Sequence, residues 1–153
     1  MHPANKAIRN ILLIDDDIDD FMIFEEAIRQ VAPEVEVSHI AKANEVKHEG
    51  NCKVPDLLFL DINMPDRNGF EWLKCIRERG YNFPVVMYST ASNPAFVQRA
   101  YSEGANVYFP KPESFKTLQE SLKQLLNLNW QEPRKVTEDF CSDGQYKVFS
   151  LAV

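Results

Sequence analysis

The sequence predicts an α/β fold in which a β-strand and an α-helix alternate five times, giving a mostly parallel sheet with helices on both faces. Two patterns predict it. Four short runs are apolar or nearly so, as in strands buried on both faces, and each ends abruptly at polar or charged residues. The stretches between them carry apolar residues at helical spacing instead. The four runs are 11–14, 57–60, 85–88 and 105–109.

The first strand leads directly into three consecutive carboxylates. A helix follows, with Asp17 or Asp19 as its candidate N-cap, and it ends before Pro33. Residues 35–40 alternate between apolar and polar, which predicts an outer strand. A short, weak helix is predicted at 43–49, before the next apolar run.

The later strands and helices have clearer signals at their ends. Asp61 ends the strand that follows, and the next helix stops at Gly80. Ser89 ends the fourth strand, and its helix stops at Gly104. The fifth strand leads into Lys111, and a strongly amphipathic last helix completes the pattern.

Residues 128–153 depart from this pattern. An Asp-Gly pair at 143–144 separates two apolar-containing stretches, 136–141 and 146–151. This arrangement predicts either a β-hairpin or an extension whose aromatic residues pack on the domain or on a partner. We therefore divide the chain into a domain at 8–127 and a C-terminal extension whose role the sequence does not indicate.

Composition excludes several classes of protein. The chain has 153 residues, of which 44% are hydrophobic, enough for the core of a domain. Its formal net charge of -6 argues against direct binding to DNA or to an anionic membrane. No apolar run approaches the roughly 20 residues that span a bilayer, so we expect a cytoplasmic protein. The cysteines form no CxxC pair, which argues against a zinc ribbon.

Polar side chains collect where the predicted strands end, the edge at which open parallel sheets bind ligands. Clustered carboxylates repel one another unless a cation joins them, and Mg²⁺ prefers such oxygen ligands. A lysine and a hydroxyl supply a charge and a hydrogen bond to a phosphoryl group, and a carboxylate can be its acceptor. The groups at this edge are Asp15, Asp16, Asp17, Asp61, Ser89, Thr90 and Lys111.

Four motifs, in order and at matching spacing, together resemble the receiver domain of two-component response regulators over roughly residues 8–127. The resemblance is closest to stand-alone, CheY-like receivers. It implies a flavodoxin-like, doubly wound (βα)5 sandwich with a five-stranded parallel sheet in the order 2-1-3-4-5. The motifs are ILLIDDDIDD, PDLLFLDINMPDRNGFEWL, PVVMYSTAS and GANVYFPKP.

The resemblance implies a role for each residue of the site. Asp61 is the expected phosphoacceptor, and Lys111 is expected to pair with the phosphoryl group. Mg²⁺, or another divalent cation, is expected to bind Asp15, Asp16, Asp61 and the backbone carbonyl of Asn63. Ser89 is the expected switch hydroxyl.

The resemblance also implies how the signal leaves the site. Tyr108 is the expected aromatic switch residue on the last strand, moving together with Ser89. The face around residues 94–109 is then expected to bind a protein partner or a second copy of the chain.

Four positions either depart from the family pattern or are given a further property by it. Ser89 replaces the more common threonine and keeps its hydroxyl. In the family, the positions of Asn63 and Ala91 tune how long the phosphoryl group survives, and Ala91 has no polar side chain. The peptide bond before Pro112 is often cis in the family.

Other readings of the same residues fit less well. A haloacid dehalogenase-type phosphatase needs Thr or Val where this chain has Asp19, and the chain leaves no room for a cap domain. A calcium-binding loop needs glycine at its sixth position, which is Asp20 here. The remaining alternative is a receiver-like interaction module that works without phosphorylation.

We therefore expect a single-domain response regulator rather than an enzyme. It accepts a phosphoryl group on Asp61 from a sensor histidine kinase or a histidine phosphotransfer protein. The output is expected to be protein contact, without direct binding to DNA or to a membrane.

Overall fold

Five strands form one parallel sheet in the order β2-β1-β3-β4-β5, which confirms the predicted fold class and strand order. The computed structural model describes residues 8–41, 54–64 and 68–151. The strands are β1 (Asn10–Ile14), β2 (Glu36–Ile40), β3 (Leu57–Leu60), β4 (Val85–Ser89) and β5 (Val107–Pro110).

Helices follow the strands as the apolar spacing predicts. Asp17 caps the first of them, and its carboxylate accepts the backbone N–H groups of Asp19 and Asp20. The short helix predicted at 43–49 lies outside the described residues. The described helices are α1 (Ile18–Val31), α2 (Gly69–Glu78), α3 (Pro94–Ser102), α4 (Phe115–Leu126) and α5 (Pro133–Asp139).

The sheet separates two apolar layers, which explains why its central strands are apolar throughout. In β3, Leu57 and Phe59 belong to the layer that includes α1 and α4. Their neighbours Leu58 and Leu60 belong to the opposite layer, with α2 and α3. All four side chains are fully buried. Burial of each contributes about 2 kcal/mol, so the two-sided core accounts for the absence of polar alternation in this strand.

The C-terminal segment forms a helix and a short hairpin, and it packs on the domain. The hairpin pairs β6 (Cys141–Ser142) with β7 (Gln145–Tyr146). Asp143 and Gly144 both have positive φ, 54° and 76°, as a two-residue hairpin turn requires. The predicted Asp-Gly turn is therefore confirmed.

The predicted first arm of the hairpin, 136–141, is wrong for most of its length. Residues 133–139 form α5 instead, starting with Pro133 in its first turn, where proline favours a helix. Val136 points from this helix into the core beside α1 and α4.

The Lys111–Pro112 peptide bond is trans, so the cis bond suggested by the family resemblance is wrong here. Among the described helices, none is both long enough and apolar enough to span a lipid bilayer.

Candidate functional site

Three carboxylates meet at the carboxyl edge of the sheet. Asp15 and Asp16 directly follow β1, and Asp61 directly follows β3, the strand paired with β1. One oxygen from each carboxylate lies within 4.8 Å of the others. Asp15 and Asp61 are buried, while Asp16 is exposed. Three like charges at this spacing repel one another, so the cluster requires positive charge nearby.

Lys111, which follows β5, supplies positive charge to the cluster. Its Nζ donates to Asp15 Oδ2 at 2.8 Å and to Asp20 Oδ2 at 2.7 Å, and it lies 3.8 Å from Asp61 Oδ2. The ammonium also lies 5.1 Å from the centre of the Tyr88 ring, within cation–π range. Burial alone lowers the pKa of Lys111, but the hydrogen bonds to Asp15 and Asp20 raise it above the ordinary value. The side chain therefore stays charged.

Asp61 is the carboxylate whose ionisation is most strongly perturbed. Its pKa is raised from 3.8 to about 6, chiefly by burial, against the attraction of Lys111, which lowers it. The neighbouring charges of Asp15 and Asp16 contribute to the rise, and the backbone N–H of Asn63 opposes it. That N–H donates to Asp61 Oδ1 at 3.4 Å. The site therefore holds a carboxylate that is poorly stabilised in its charged form.

Backbone hydrogen bonds hold the acidic residues in place. The N–H of Asp61 donates to the carbonyl of Ile14, which continues the β1–β3 ladder to the site. The N–H of Asp17 donates to Asp15 Oδ1 at 3.0 Å. His39 Nε2 donates to the carbonyl of Asp15 at 2.7 Å. The carboxylates thus project from fixed strand ends rather than from a free loop.

Gly69 allows α2 to begin directly against the strand end that carries Asp61. Its N–H donates to the carbonyl of Ile62 at 2.9 Å. A Cβ at this position would lie 2.4 Å from the carbonyl oxygen of Asp61, which is closer than any side chain permits. Glycine is required here by the close approach of two backbone segments.

Ser89 and Tyr108 lie on adjacent strands and meet at the loop after β4. Ser89 is fully buried, and its Oγ accepts the N–H of Ala91 at 3.2 Å. The Tyr108 hydroxyl donates to the carbonyl of Ala91 at 2.7 Å, and its ring is buried. Burial raises the pKa of Tyr108 to about 12, although a hydrogen bond with Ser89 lowers it.

Comparison with known proteins identifies this arrangement. The family model for the response regulator receiver domain matches residues 11–123. The chain belongs to this family. Receiver domains are signalling modules, and the matched range contains the whole acidic cluster and Lys111.

Solved structures of other receivers have the same fold. The phosphorylated cyanobacterial phytochrome response regulator RcpA is 26% identical with a TM-score of 0.71, and the match covers 80% of this chain and 94% of that one. The chemotaxis protein CheY4 of Vibrio cholerae is 28% identical with a TM-score of 0.65, over 77% and 98%. A Mn²⁺-bound form of the response regulator Rcp1 is 25% identical with a TM-score of 0.67, over 78% and 96%.

The matched relatives include regulators that are longer than this chain. The DNA-binding transcriptional regulator NtrC of Proteus hauseri is 34% identical over 103 residues, which make up 67% of this chain and 21% of that protein. The probable C4-dicarboxylate response regulator DctR of Priestia megaterium is 32% identical over 124 residues, 78% of this chain and 53% of that protein. The receiver therefore spans between about a fifth and a half of their lengths.

The structure brings the predicted site residues of the receiver into two connected groups. Asp15, Asp16, Asp61 and Lys111 share one pocket. Asn63 adjoins this pocket through its backbone. The second group, on the neighbouring strands, consists of Ser89 and Tyr108.

The acidic pocket suits a hard divalent cation. It offers three carboxylate oxygens within reach of one centre, and Mg²⁺ and similar ions bind such oxygens. One of the three carboxylates is exposed, which leaves the pocket open to solvent on that side. The donor set of this receiver therefore fits the Mg²⁺, or other divalent cation, that the family resemblance implies.

Three residues of the receiver site were missed by reasoning from the sequence. Asp20 binds Lys111, Gly69 admits the backbone of α2, and His39 holds the Asp15 carbonyl. Asp20 lies in the first turn of the helix that begins directly after the acidic residues following β1, so its closeness to the site was readable. Gly69 and His39 carry no such pattern, because no local spacing rule relates either residue to the backbone that it contacts.

Proposed function

We propose that this receiver accepts a phosphoryl group on Asp61 from a histidine kinase or a histidine phosphotransfer protein. Receiver domains are phosphorylated by histidine kinases, and this chain has the required acceptor and charge partner. The observation that carries the proposal is the buried Asp61 carboxylate, crowded by Asp15 and Asp16 and facing Lys111 at 3.8 Å. This is the arrangement that phosphoryl transfer needs.

The transfer exchanges one bond to phosphorus for another. An oxygen of Asp61 forms a bond to phosphorus while the phosphorus–nitrogen bond of the donor phosphohistidine breaks, and the imidazole nitrogen keeps the electron pair. Lys111 already lies among three carboxylates, so its ammonium turns from them toward the phosphoryl oxygens. The backbone N–H of Asn63 orients the attacking carboxylate.

The acidic pocket would hold the divalent cation through Asp15, Asp16, Asp61 and the backbone carbonyl of Asn63. When bound, Mg²⁺ supplies positive charge that offsets the charge on the phosphoryl oxygens. Among the described residues, the single positive charge of Lys111 faces three carboxylates. A divalent cation is therefore needed before a further anionic group can enter.

An apolar patch on α1 beside the pocket suits contact with the phosphodonor. Ile18, Met22 and Ile23 are 56%, 60% and 48% exposed. They lie on the helix that also carries Asp20, which binds Lys111. An exposed apolar patch next to a reactive group is typical of a protein contact surface.

We further propose that the chain signals as a single-domain regulator through protein contact. Phosphorylation draws Ser89 toward the phosphoryl group, and Tyr108 follows, since both bind the same residue, Ala91. The face formed by residues 94–109 changes as a result and shifts between two states. A net charge of -6 does not favour direct DNA binding by this chain.

Intact-protein mass spectrometry with acetyl phosphate, with and without Mg²⁺, tests the phosphoacceptor. We expect one phosphoryl adduct that needs both Mg²⁺ and Asp61 and is lost in Asp61→Asn. Asp17→Asn is the matched control, because it makes the same substitution next to the site and asparagine caps a helix equally well. Its adduct should remain.

A wild-type chain that stays unmodified by acetyl phosphate and by phosphorylated histidine kinases would contradict the proposal. The receiver would then be an interaction module that works without phosphorylation. An adduct of undiminished yield in Asp61→Asn would contradict the choice of acceptor.

A further inference from the structure

One part of the C-terminal extension, residues 145–149, lies on α3 and contacts it through both backbone and ring atoms. Gln98 Nε2 donates to the carbonyl of Tyr146 at 2.7 Å, and the N–H of Tyr146 donates back to Gln98 Oε1 at 3.1 Å. The Tyr146 ring stacks on Tyr101 with ring centres 4.5 Å apart. The Tyr101 hydroxyl then donates to the carbonyl of Lys147 at 2.8 Å. These contacts together require Tyr146 and Lys147 to follow one extended path across α3.

The same segment covers the open edge of the sheet. The N–H of Phe149 donates to the carbonyl of Tyr108 at 2.7 Å, on the outer side of β5. The Phe149 ring packs edge-on against Phe109, with ring centres 5.5 Å apart, and is buried. An uncovered edge strand offers its backbone to other chains, and here the chain's own residues occupy it.

Hydrogen bonds connect this segment to the proposed switch residue Ser89. The N–H of Tyr108 donates to the Tyr101 hydroxyl at 3.0 Å, so one hydroxyl joins β5 to the segment. The Tyr108 hydroxyl donates to the carbonyl of Ala91, whose N–H donates to Ser89 Oγ. The backbone of Tyr108 is therefore bound to the segment, and its hydroxyl is bound to the same residue, Ala91, that contacts Ser89.

We propose that residues 145–149, here called the latch, are an intramolecular inhibitor of the α3–β5 face. The latch holds Tyr108 in its unphosphorylated position and leaves the face when Asp61 is phosphorylated. This inference rests on the proposed function and adds a regulation to it. Its hydrogen bonds run to the backbone of Tyr108, directly and through the Tyr101 hydroxyl, so a phosphoryl group that shifts β5 at Tyr108 weakens them.

The latch is suited to reversible release. It begins with the second strand of a hairpin that has two residues per strand and little stability of its own. Gln145 and Lys147 are exposed, so only Tyr146, Val148 and Phe149 contribute apolar contacts. A segment held by a few contacts opens at lower cost than the core.

Hydrogen exchange of single amides, followed by NMR, tests the latch. The amides of Tyr146 and Phe149 should exchange slowly in the resting chain, because both are hydrogen-bonded. After Mg²⁺ and acetyl phosphate, with adduct formation confirmed by mass spectrometry on the same sample, we expect about tenfold faster exchange at these two amides. The amide of Leu122 in α4 should not change, and Asp61→Asn should show no effect.

The outcomes separate the latch from the proposed function. An adduct with unchanged or slower exchange at Tyr146 and Phe149 overturns the latch and leaves the phosphoacceptor in place. Absence of an adduct, with acetyl phosphate and with phosphorylated kinases, overturns the proposed function and the latch with it.

A substitution tests the reciprocal effect without changing the phosphorylation site. Gln98→Ala removes both hydrogen bonds to Tyr146, so we expect roughly two- to tenfold faster phosphorylation by acetyl phosphate, since release and phosphorylation favour each other. Gln119→Ala is the control, because it removes a helix-surface amide that contacts Gln30 instead. Equal rates in the wild type and Gln98→Ala would overturn the coupling.

Discussion

Asp61 is buried, whereas its proposed role as phosphoacceptor requires an ionised carboxylate, and burial opposes ionisation. Burial raises its pKa to about 6, and Lys111 recovers only part of the cost. The folded state therefore keeps an unfavourable charge at neutral pH. Such strain is common at functional sites, where it serves reactivity rather than stability.

Removing that charge should stabilise the protein. In a buffer containing a chelator at pH 7, we expect Asp61→Asn to raise the free energy of unfolding by about 1–3 kcal/mol. The pKa of Asp61 in the folded state, about 6, lies above the unfolded value of 3.8. The contribution of this one carboxyl to wild-type stability is therefore fully present below pH 3.8 and is lost as the pH rises through about 6. Urea denaturation of the wild type and Asp61→Asn, at pH 7 and at pH 4, measures the difference in their free energies of unfolding.

The gain from Asp61→Asn should shrink at pH 4, where the wild-type carboxyl is largely protonated in the folded state. Asp17→Asn is the control, since Asp17 is an exposed cap. A gain of the same size at pH 4 and pH 7 would show that charge is not its cause.

At the scale of the element, the site depends on how closely a helix approaches a strand. The start of α2 lies against the carbonyl of Asp61, and the ladder between β1 and β3 continues to Asp61 itself. The strand end and the helix start thus share one rigid junction at Gly69. Any group larger than hydrogen at that position displaces the backbone of Asp61, the proposed phosphoacceptor.

Gly69→Ala should therefore impair both stability and phosphorylation. A Cβ placed 2.4 Å from a backbone oxygen forces the two segments apart, and we expect a loss of about 2–4 kcal/mol in urea denaturation. The rate of adduct formation with acetyl phosphate should also fall. Gly80→Asn is the control, because nothing lies within 4 Å of its Cβ position and asparagine tolerates positive φ.

If Gly69→Ala proved as stable as Gly80→Asn, the close approach of α2 to Asp61 would not be a constraint. An unchanged stability with a slower adduct would instead place the effect in the geometry of Asp61 alone.

At the scale of the molecule, the segment after α4 is part of the folded unit rather than an appendage. Trp130 and Val136 are buried in the core layer that also contains α1 and α4. Trp130 also donates from its indole Nε1 to the carbonyl of Leu125. The family model ends at residue 123, so these contacts add to the shared fold.

Trp130→Ala should be among the most destabilising substitutions in the chain. Its side chain is 1% exposed, and we expect a loss of about 3–5 kcal/mol, measured by urea denaturation followed by circular dichroism. Tyr81→Ala is the matched control, because this aromatic ring is 44% exposed. It should cost less than about 1 kcal/mol. Similar losses in the two variants would show that the segment docks weakly.

Local patterns in the sequence were enough to predict the fold and most of the candidate site. Strands buried on both faces must be apolar throughout, so β1, β3 and β4 were visible as runs. The carboxyl ends of parallel strands share one edge, so Asp15, Asp61 and Lys111 were expected to meet, and the structure places them together.

The tertiary structure alone decided the contacts that no local spacing predicts. The approach of Gly69 to Asp61, the bond from His39 to Asp15 and the docking of Phe149 on Tyr108 follow from packing, not from any local spacing. The C-terminal segment shows the division most clearly. Its Asp-Gly turn was readable from the sequence, because two positive φ angles favour particular residues. Its helix and its packing on β5 depend instead on a surface that the rest of the chain forms.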